Sequence, residues 1–383
     1  MPIIFSAIDE RQRAAVHAVG AAQESERDGK AERMTQILVT GSLGWLGRRL
    51  IESLAGGTSD VPAARAFGED LTVRALVEPG QSTQPLKELF PKIEIASGDL
   101  RKPADCAEFC ASSSGAILLH AAGIIHPRRV ADYYGINVAG TKNLLAAAIR
   151  ADVRRVAVVS SNSPCGVNAD AENSFDEESP YRPYMNYGRS KMLMEQAALE
   201  SYASGDLEVV IVRPPWFYGP CQPARQTLFF RMIRDGTVPI VGSGDNRRSM
   251  AYIDNLCQGL LLAATSERAN GQIYWIADER PYSMNEIVAT IERLLESEFG
   301  QRCAHRRRHL PNFASKCAWL VDAGLQGVGL YHQKIHVLSE MNKTIACSIG
   351  KANRELGYAP VIALEEGMRR SLRWVFEHYG GLD

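Results

Sequence analysis

Residues 36–47, Gln-Ile-Leu-Val-Thr-Gly-Ser-Leu-Gly-Trp-Leu-Gly, constrain this chain more than any other stretch. A short apolar run passes directly into glycines at 41, 44 and 47, and then into helical sequence through residue 54. Glycines at this spacing permit a tight turn, close backbone approach to a ligand, and close packing of a helix on its strand. The helix N-terminus then offers unpaired N–H groups and a favourable dipole to an anion. A pyrophosphate fits that arrangement, so Gly41, Leu43, Gly44, Trp45, Leu46 and Gly47 are expected to hold a dinucleotide.

The sequence downstream repeats the same alternation. Apolar runs at 37–39, 72–77, 93–97, 116–120, 156–160 and 209–212 predict strands, and 47–54, 137–151 and 187–204 predict helices. Repeated β-α-β units with compact apolar strands predict an α/β fold, a Rossmann-type doubly wound parallel sheet covered on both faces. After Pro214, proline and glycine become frequent and the helical pieces shorten. The expected division is an N-terminal extension over 1–33, a dinucleotide-binding domain over 34–215, and a smaller, discontinuous C-terminal substrate lobe over 216–383. Residues 14–33, rich in Ala, Glu, Arg and Gln, look like a surface helix or tail, and Met34 could be an alternative start.

Charge and cysteine usage narrow the function classes. The 43 basic and 44 acidic side chains leave a net charge of -1, no general field for nucleic acid or an anionic membrane, although local patches remain open. The eight cysteines lack Cys-x-x-Cys spacing, and Cys106 and Cys110 are expected to be buried thiols. Free thiols and the lack of an evident signal peptide suggest the cytoplasm, and no apolar run reaches the ~18 residues of a membrane span. Residues 317–331 are expected to form a packed helix and loop. His305-Arg-Arg-Arg-His309 is read as a solvated basic patch, not a metal site. A small molecule is the expected partner.

Glu78 closes the second predicted strand. A carboxylate there accepts hydrogen bonds from ribose hydroxyls and repels a 2′-phosphate, which favours NAD over NADP, although Arg74 lies nearby. Tyr187-Gly-Arg-Ser-Lys191 places a phenol and an ammonium on one helical face. A free phenol titrates near ~10, and a neighbouring ammonium is expected to lower that value toward a usable base. The strand 156–160 ends in a hydroxyl cluster, in which Ser160, Ser161 and Ser163 each could orient a substrate oxygen. No Gly-x-Ser-x-Gly elbow surrounds them, so an acyl-transfer nucleophile is rejected.

These segments stand in one order: TGSLGWLG, Gly98-Asp-Leu100, His120-Ala-Ala-Gly123, Asn137-Val-Ala-Gly-Thr-Lys-Asn143, SSNSPCG, YGRSK and Arg213-Pro-Pro-Trp-Phe-Tyr-Gly-Pro220. The set resembles the extended short-chain dehydrogenase/reductase family, with its NAD-dependent epimerases, dehydratases and 3β-hydroxysteroid dehydrogenase relatives. The resemblance runs from about residue 36 to the C-terminus and is strongest up to Asn255. It implies that Ser161, counted back from Gly166, aligns the substrate oxygen. Tyr187 would exchange the hydroxyl proton, and Lys191 would tune Tyr187 and hold the nicotinamide ribose. It also implies Asp99 and Leu100 beside the adenine, Ala121, Ala122 and Gly123 along the cofactor, and Pro214 near the nicotinamide. Asn137 either joins that site or caps the helix it precedes. A homodimer through the helices at 137–151 and 187–204 is a further implication.

Substrate class stays divided. Arg248 matches the place where nucleotide-sugar enzymes of the family contact the diphosphate, so the first reading is hydride transfer on a nucleotide sugar, as epimerase, dehydratase or reductase. Asn162 and Ser163 follow Ser161 where a dehydratase carries acids, which speaks against dehydration. Trp216 stands where such enzymes often carry Asn, and a bulky indole suits the second reading, a hydrophobic sterol-like or aromatic alcohol or ketone. A non-catalytic dinucleotide sensor is the third, but it gives no reason to keep Ser, Tyr and Lys together.

Overall fold

The computed structural model describes residues 35–68 and 70–382, so the expected N-terminal extension lies outside the described residues. Seven strands form one sheet: β1 (Gln36–Thr40), β2 (Thr72–Val77), β3 (Glu94–Ser97), β4 (Ile117–His120), β5 (Arg155–Val159), β6 (Glu208–Arg213) and β7 (Gln272–Trp275). Their order is β7-β6-β5-β4-β1-β2-β3 and every neighbouring pair is parallel. Ile37 and Val39 enter the core on one face and Leu38 enters the other. Both faces are therefore covered, which is why these strands are continuous apolar runs. The chain winds outward from β1 to β3, then crosses back to β4 beside β1. That reversal opens a crevice at the carboxyl ends of the strands, where open α/β sheets bind ligands.

Helix α1 (Trp45–Leu54) follows the glycine turn. Helix α2 is a continuous rod of Val130–Asp132, a π-helical stretch Tyr133–Gly140, and Thr141–Arg150. It begins well before the expected residue 137, so Asn137 lies inside it and does not cap it. The reason is side-chain anchoring: Asn137 bonds outward to residue 124 while the helical turns run past it. Helix α3 (Met185–Ala203) carries Tyr187 and Lys191 one turn apart.

Beyond β6, Ala224–Arg234, α4 (Met284–Phe299) and Leu364–Tyr379 build another core around Ile233, Ile291, Leu294 and Leu372. The chain returns to the sheet through Ile253–Thr265 and β7. Helices α5 (Phe313–Gly327) and α6 (Gln333–Glu340) form a hairpin. The expected helix in 317–331 is present there, but the face it packs is polar. The basic run 305–309 is solvent-facing as expected, with only Arg307 half-buried, and two of its side chains pair with carboxylates. His305 Nε2 lies 2.8 Å from Glu296 Oε1, and Arg307 Nη2 lies 3.1 Å from Glu292 Oε2, both on α4. Among the described residues no His, Cys, Asp and Glu cluster could hold a metal. All eight cysteines are free, and burial pushes the Cys106 and Cys110 thiols up to about 11 and about 12.

Candidate active site

The crevice at the β1/β4 reversal is a cavity of about 390 Å³ lined by Gly41, Leu43, Gly44, Glu78, Asp99, Leu100, Ala122 and Gly123, all expected, and by Ser42, Leu76, Gln81, Gly98, Ile124 and Ile136, which were not. Gly41 has φ +69°, and a Cβ there would lie 2.7 Å from the Ala122 nitrogen. A Cβ on Gly47 would lie 2.1 Å from the Gly41 carbonyl oxygen. The turn can therefore press against the loop after β4 only as glycine. No side chain caps α1, so its first N–H groups have no side-chain acceptor, and Gly44 at its start lines the cavity. These features fit a dinucleotide pyrophosphate on geometry alone.

Three expected residues stand behind that wall. Leu46 is buried in the core, Gly47 serves helix packing, and Trp45 turns away to donate from Nε1 to the Pro220 carbonyl at 2.6 Å. Ala121 lies under Gly41 through its backbone. Glu78 is exposed at the rim and accepts from Gln81 Nε2 at 3.2 Å. The Arg101 guanidinium, 2.6 Å from Asp99, holds the Asp99 carboxyl below its ordinary value.

A buried chain of polar groups joins the ends of β1 and β4 to α2. Thr141 Oγ1 donates to the Asn137 carbonyl at 2.7 Å, so it accepts from His120 Nε2–H at 2.8 Å. His120 Nδ1 then accepts from Thr40 Oγ1 at 2.7 Å. Burial, with Lys191 adding repulsion, pushes His120 down to about 3 and keeps it neutral. Asn137 Oδ1 accepts from the Ile124 N–H at 2.8 Å, and its Nδ2 donates to the Ile124 carbonyl and to Ser190 Oγ. One side chain thus clamps the cavity wall to the start of α3.

The three proposed reacting groups gather at the inner end. A Cβ on Gly123 would lie 3.1 Å from Lys191 Nζ, which places the ammonium against the cavity lining. Lys191 Nζ donates to the Val159 carbonyl at 3.0 Å, and burial pulls it down to about 8 against the opposing charge of Glu195. Tyr187 departs from expectation: burial pushes its phenol up to about 12, with the Ser161 hydroxyl acting in the opposite direction. An ammonium engaged by a carbonyl offers the phenol less than desolvation takes from it. The three serines are also distinguished here. Ser160 Oγ donates to Glu195 at 2.5 Å, while Ser161 Oγ faces Ser163 Oγ at 3.3 Å and interacts with Tyr187.

Glu195 is the centre of a buried network that the sequence did not announce. Arg213 Nη2 donates to it at 2.6 Å and Tyr181 OH at 2.7 Å, with the Arg213 and Glu195 side chains 2% and 0% exposed. The network pins the ends of β5 and β6, from which Ser161 and the buried Pro214 project.

The hairpin α5–α6 closes the opposite side. Asp322 Oδ2 lies 2.7 Å from His336 Nδ1, and Gln326 bonds both Asp322 and Asn186. Burial lowers His336, but Asp322 and Glu340 together hold it above its ordinary value. Tyr133 stacks obliquely on Tyr187 at 5.7 Å between centroids and meets Tyr331 edge-on at 5.8 Å. Trp216 packs against Phe229 at 5.7 Å, and Arg248 Nη2 donates to the Glu340 carbonyl at 2.5 Å. Arg225, within electrostatic reach of Tyr187 and Tyr331, was missed because nothing in its local sequence marks it.

The chain is similar over most of its length to known proteins. The model of the NAD dependent epimerase/dehydratase family matches residues 37–277. The chain is 53% identical over 339 residues to uncharacterized protein y4nL of Sinorhizobium fredii, covering 88% of this chain and 94% of that one. It is 27% identical over 344 residues to the 4-hydroxy-2-methyl-3-oxo-4-farnesyl-3,4-dihydroquinoline-1-oxide ketoreductase of Stigmatella aurantiaca, covering 87% and 94%. The dTDP-glucose 4,6-dehydratase DesIV of Streptomyces venezuelae, solved with NAD and TYD bound, superposes with a TM-score of 0.68 at 25% identity, covering 90% and 98%.

Proposed function

Because this chain belongs to the NAD dependent epimerase/dehydratase family and is an NAD-dependent extended short-chain dehydrogenase/reductase, we propose that it oxidises or reduces a secondary alcohol or ketone carbon on a substrate with a hydrophobic, ring-bearing body. The observation that carries the substrate reading is the aromatic cluster beside the Tyr187 phenol, in which the fully buried Tyr133 backs the half-buried ring of Tyr331. Flat apolar surface of that kind favours ring faces over hydrated groups. Arg248, the expected diphosphate contact, is engaged by the main chain of the hairpin.

Bound NAD supplies the hydride acceptor or donor. Gly41, Gly44 and the start of α1 would hold its pyrophosphate, and Glu78 would favour the unphosphorylated ribose. Ser161 Oγ orients the substrate oxygen toward Tyr187. In reduction the neutral Tyr187 phenol gives its proton to the substrate oxygen; in oxidation the proton returns to the phenolate, which the positive ring of bound NAD and the Lys191 ammonium would stabilise against burial. Lys191, ammonium below about 8, supplies positive charge at the inner end of the cavity. His120 is held neutral and Asn137 is bonded on every side, so both position the site without exchanging protons.

A nucleotide-linked sugar is the second reading, favoured by Arg225, a cation close to Tyr187 that could meet a phosphate. Steady-state change in NADH absorbance with sterol-type alcohols, aromatic ketones, and UDP- and dTDP-sugars separates the two. Turnover of the hydrophobic set supports the first reading. Turnover of nucleotide sugars alone, or sugar epimerisation with no net NADH, replaces it with the second.

A further inference from the structure

Helix α5 is built inside out. Its buried stripe, at spacings of three and four, is Ser315, Ala318, Asp322 and Gln326. Its outward stripe carries Phe313, Leu320 and Val321, exposed by 65%, 63% and 52%. Trp319 flanks them, Val328 and Leu330 extend the surface past the helix, and Val337 adds to it from α6. Seven of the eleven exposed large apolar side chains among the described residues fall between 313 and 337. An ordinary surface helix shows the reverse arrangement. The inversion is fixed in place: turning the apolar stripe inward would break the Asp322–His336 and Gln326–Asn186 contacts.

The charge around the stripe is one-sided. Lys316 and Lys334 are exposed on the hairpin, whereas its two carboxylates, Asp322 and Glu340, lie against His336. The loop before α2 adds exposed Arg128 and Arg129, held at the hairpin by the Arg129–Leu330 bridge and the Val130 N–H to Gly329 carbonyl bond. A chain of net charge -1 therefore places four exposed cations, at 128, 129, 316 and 334, beside its main apolar surface, while the two hairpin carboxylates are turned to His336. No helix among the described residues is long and apolar enough to cross a membrane.

We propose that the outer face of the α5–α6 hairpin docks on an anionic lipid bilayer. Phe313, Trp319, Leu320, Val321 and Val328 enter the headgroup–acyl boundary, and Arg128, Arg129, Lys316 and Lys334 meet the lipid phosphates. The inner face of the same hairpin packs on Tyr184 and Asn186, beside Tyr187, so docking would hold the Tyr187 end of the site close to the lipid surface. The docking does not depend on which substrate reading holds.

Co-sedimentation of the full chain with vesicles tests it, using phosphatidylcholine with and without phosphatidylglycerol. Partition onto the anionic vesicles should exceed that onto neutral ones by at least about tenfold at low salt and fall as salt rises, because the attraction of the four cations to lipid phosphates is screened. The double variant Leu320→Glu/Val321→Glu should lose at least about tenfold in partition while keeping NAD binding, and Lys316→Ala/Lys334→Ala should lose less and flatten the salt dependence. Val361→Glu, at an exposed apolar position outside the hairpin, should change nothing. A polarity-sensitive fluorophore on the exposed Cys317 should shift to the blue on anionic vesicles. Failure of the parent chain to partition, or full partition by the Leu320→Glu/Val321→Glu variant, overturns the proposal. So does conversion of a dimer to a monomer by that variant without vesicle binding by the parent, which would make the face a contact with a second copy.

Discussion

The nucleotide half and the α5–α6 hairpin obey opposite polarity rules within one chain. Along β1, β4 and β5, apolar side chains are buried on both faces, and the buried Thr40 and His120 enter bonded to each other, with Thr141 of α2 completing the chain. On α5, Asp322 and Gln326 are buried while Leu320 and Val321 face out. The first region is held by area removed from water, the second by directional bonds to His336 and Asn186. The lesson is that a hydrophobic periodicity reports which face is apolar, and only bonding partners decide which face is inside.

That contrast predicts unequal responses to mutation. Glu195→Ala leaves Arg213 charged and buried, and should destabilise the whole nucleotide half by about 3–5 kcal/mol, read as a single shifted unfolding transition. An unchanged transition would mean that the buried pair is dispensable and the comparison is wrong.

Acid should act next most strongly, and on the same half. His120 titrates at about 3 when folded and near ~6.5 when unfolded, so between those values the unfolded chain binds more protons. Stability should therefore fall as pH drops from ~6.5 toward ~3, by at most about 5 kcal/mol from this group. Denaturant midpoints of wild type and His120→Gln across that window check it, and parallel curves would exclude His120 as the cause.

Gly47→Ala forces a methyl group onto the Gly41 carbonyl and should cost about 1–3 kcal/mol together with a clear loss of NAD affinity by fluorescence titration. Unaltered NAD binding would show that the turn is not under the constraint described. The smallest effect belongs to the hairpin. Asp322→Asn weakens the contact to His336 and should raise protease sensitivity near 313–340, with about 1–2 kcal/mol of local loss and little change in the global transition. A global transition shifted as far as in Glu195→Ala would remove the distinction between the two regions.

Legibility in the sequence follows the same division. The parallel sheet and the glycine turn were readable because apolar runs and backbone geometry are local properties of residues 36–47 and their repeats. The cavity lining from Glu78 to Gly123 was readable because it sits at strand ends. The Glu195–Arg213–Tyr181 network was not, since its members lie 18 and 14 residues apart and meet only in three dimensions. Tyr187 illustrates the limit from the other side. Its spacing to Lys191 is a sequence fact, but the sign of its shift is decided by burial. The apolar residues of α5 were visible as apolar, and were assigned to packing because nothing local says that Asp322 would find His336.

The central claim, that Tyr187 exchanges the substrate proton at an NAD site built by the glycine turn, is tested most directly by Tyr187→Phe. NAD affinity and turnover should be measured on the same preparation, with whichever alcohol or ketone the wild-type chain converts. The account predicts NAD binding close to wild type and a fall in kcat of at least about 100-fold. Turnover that survives the substitution would contradict it.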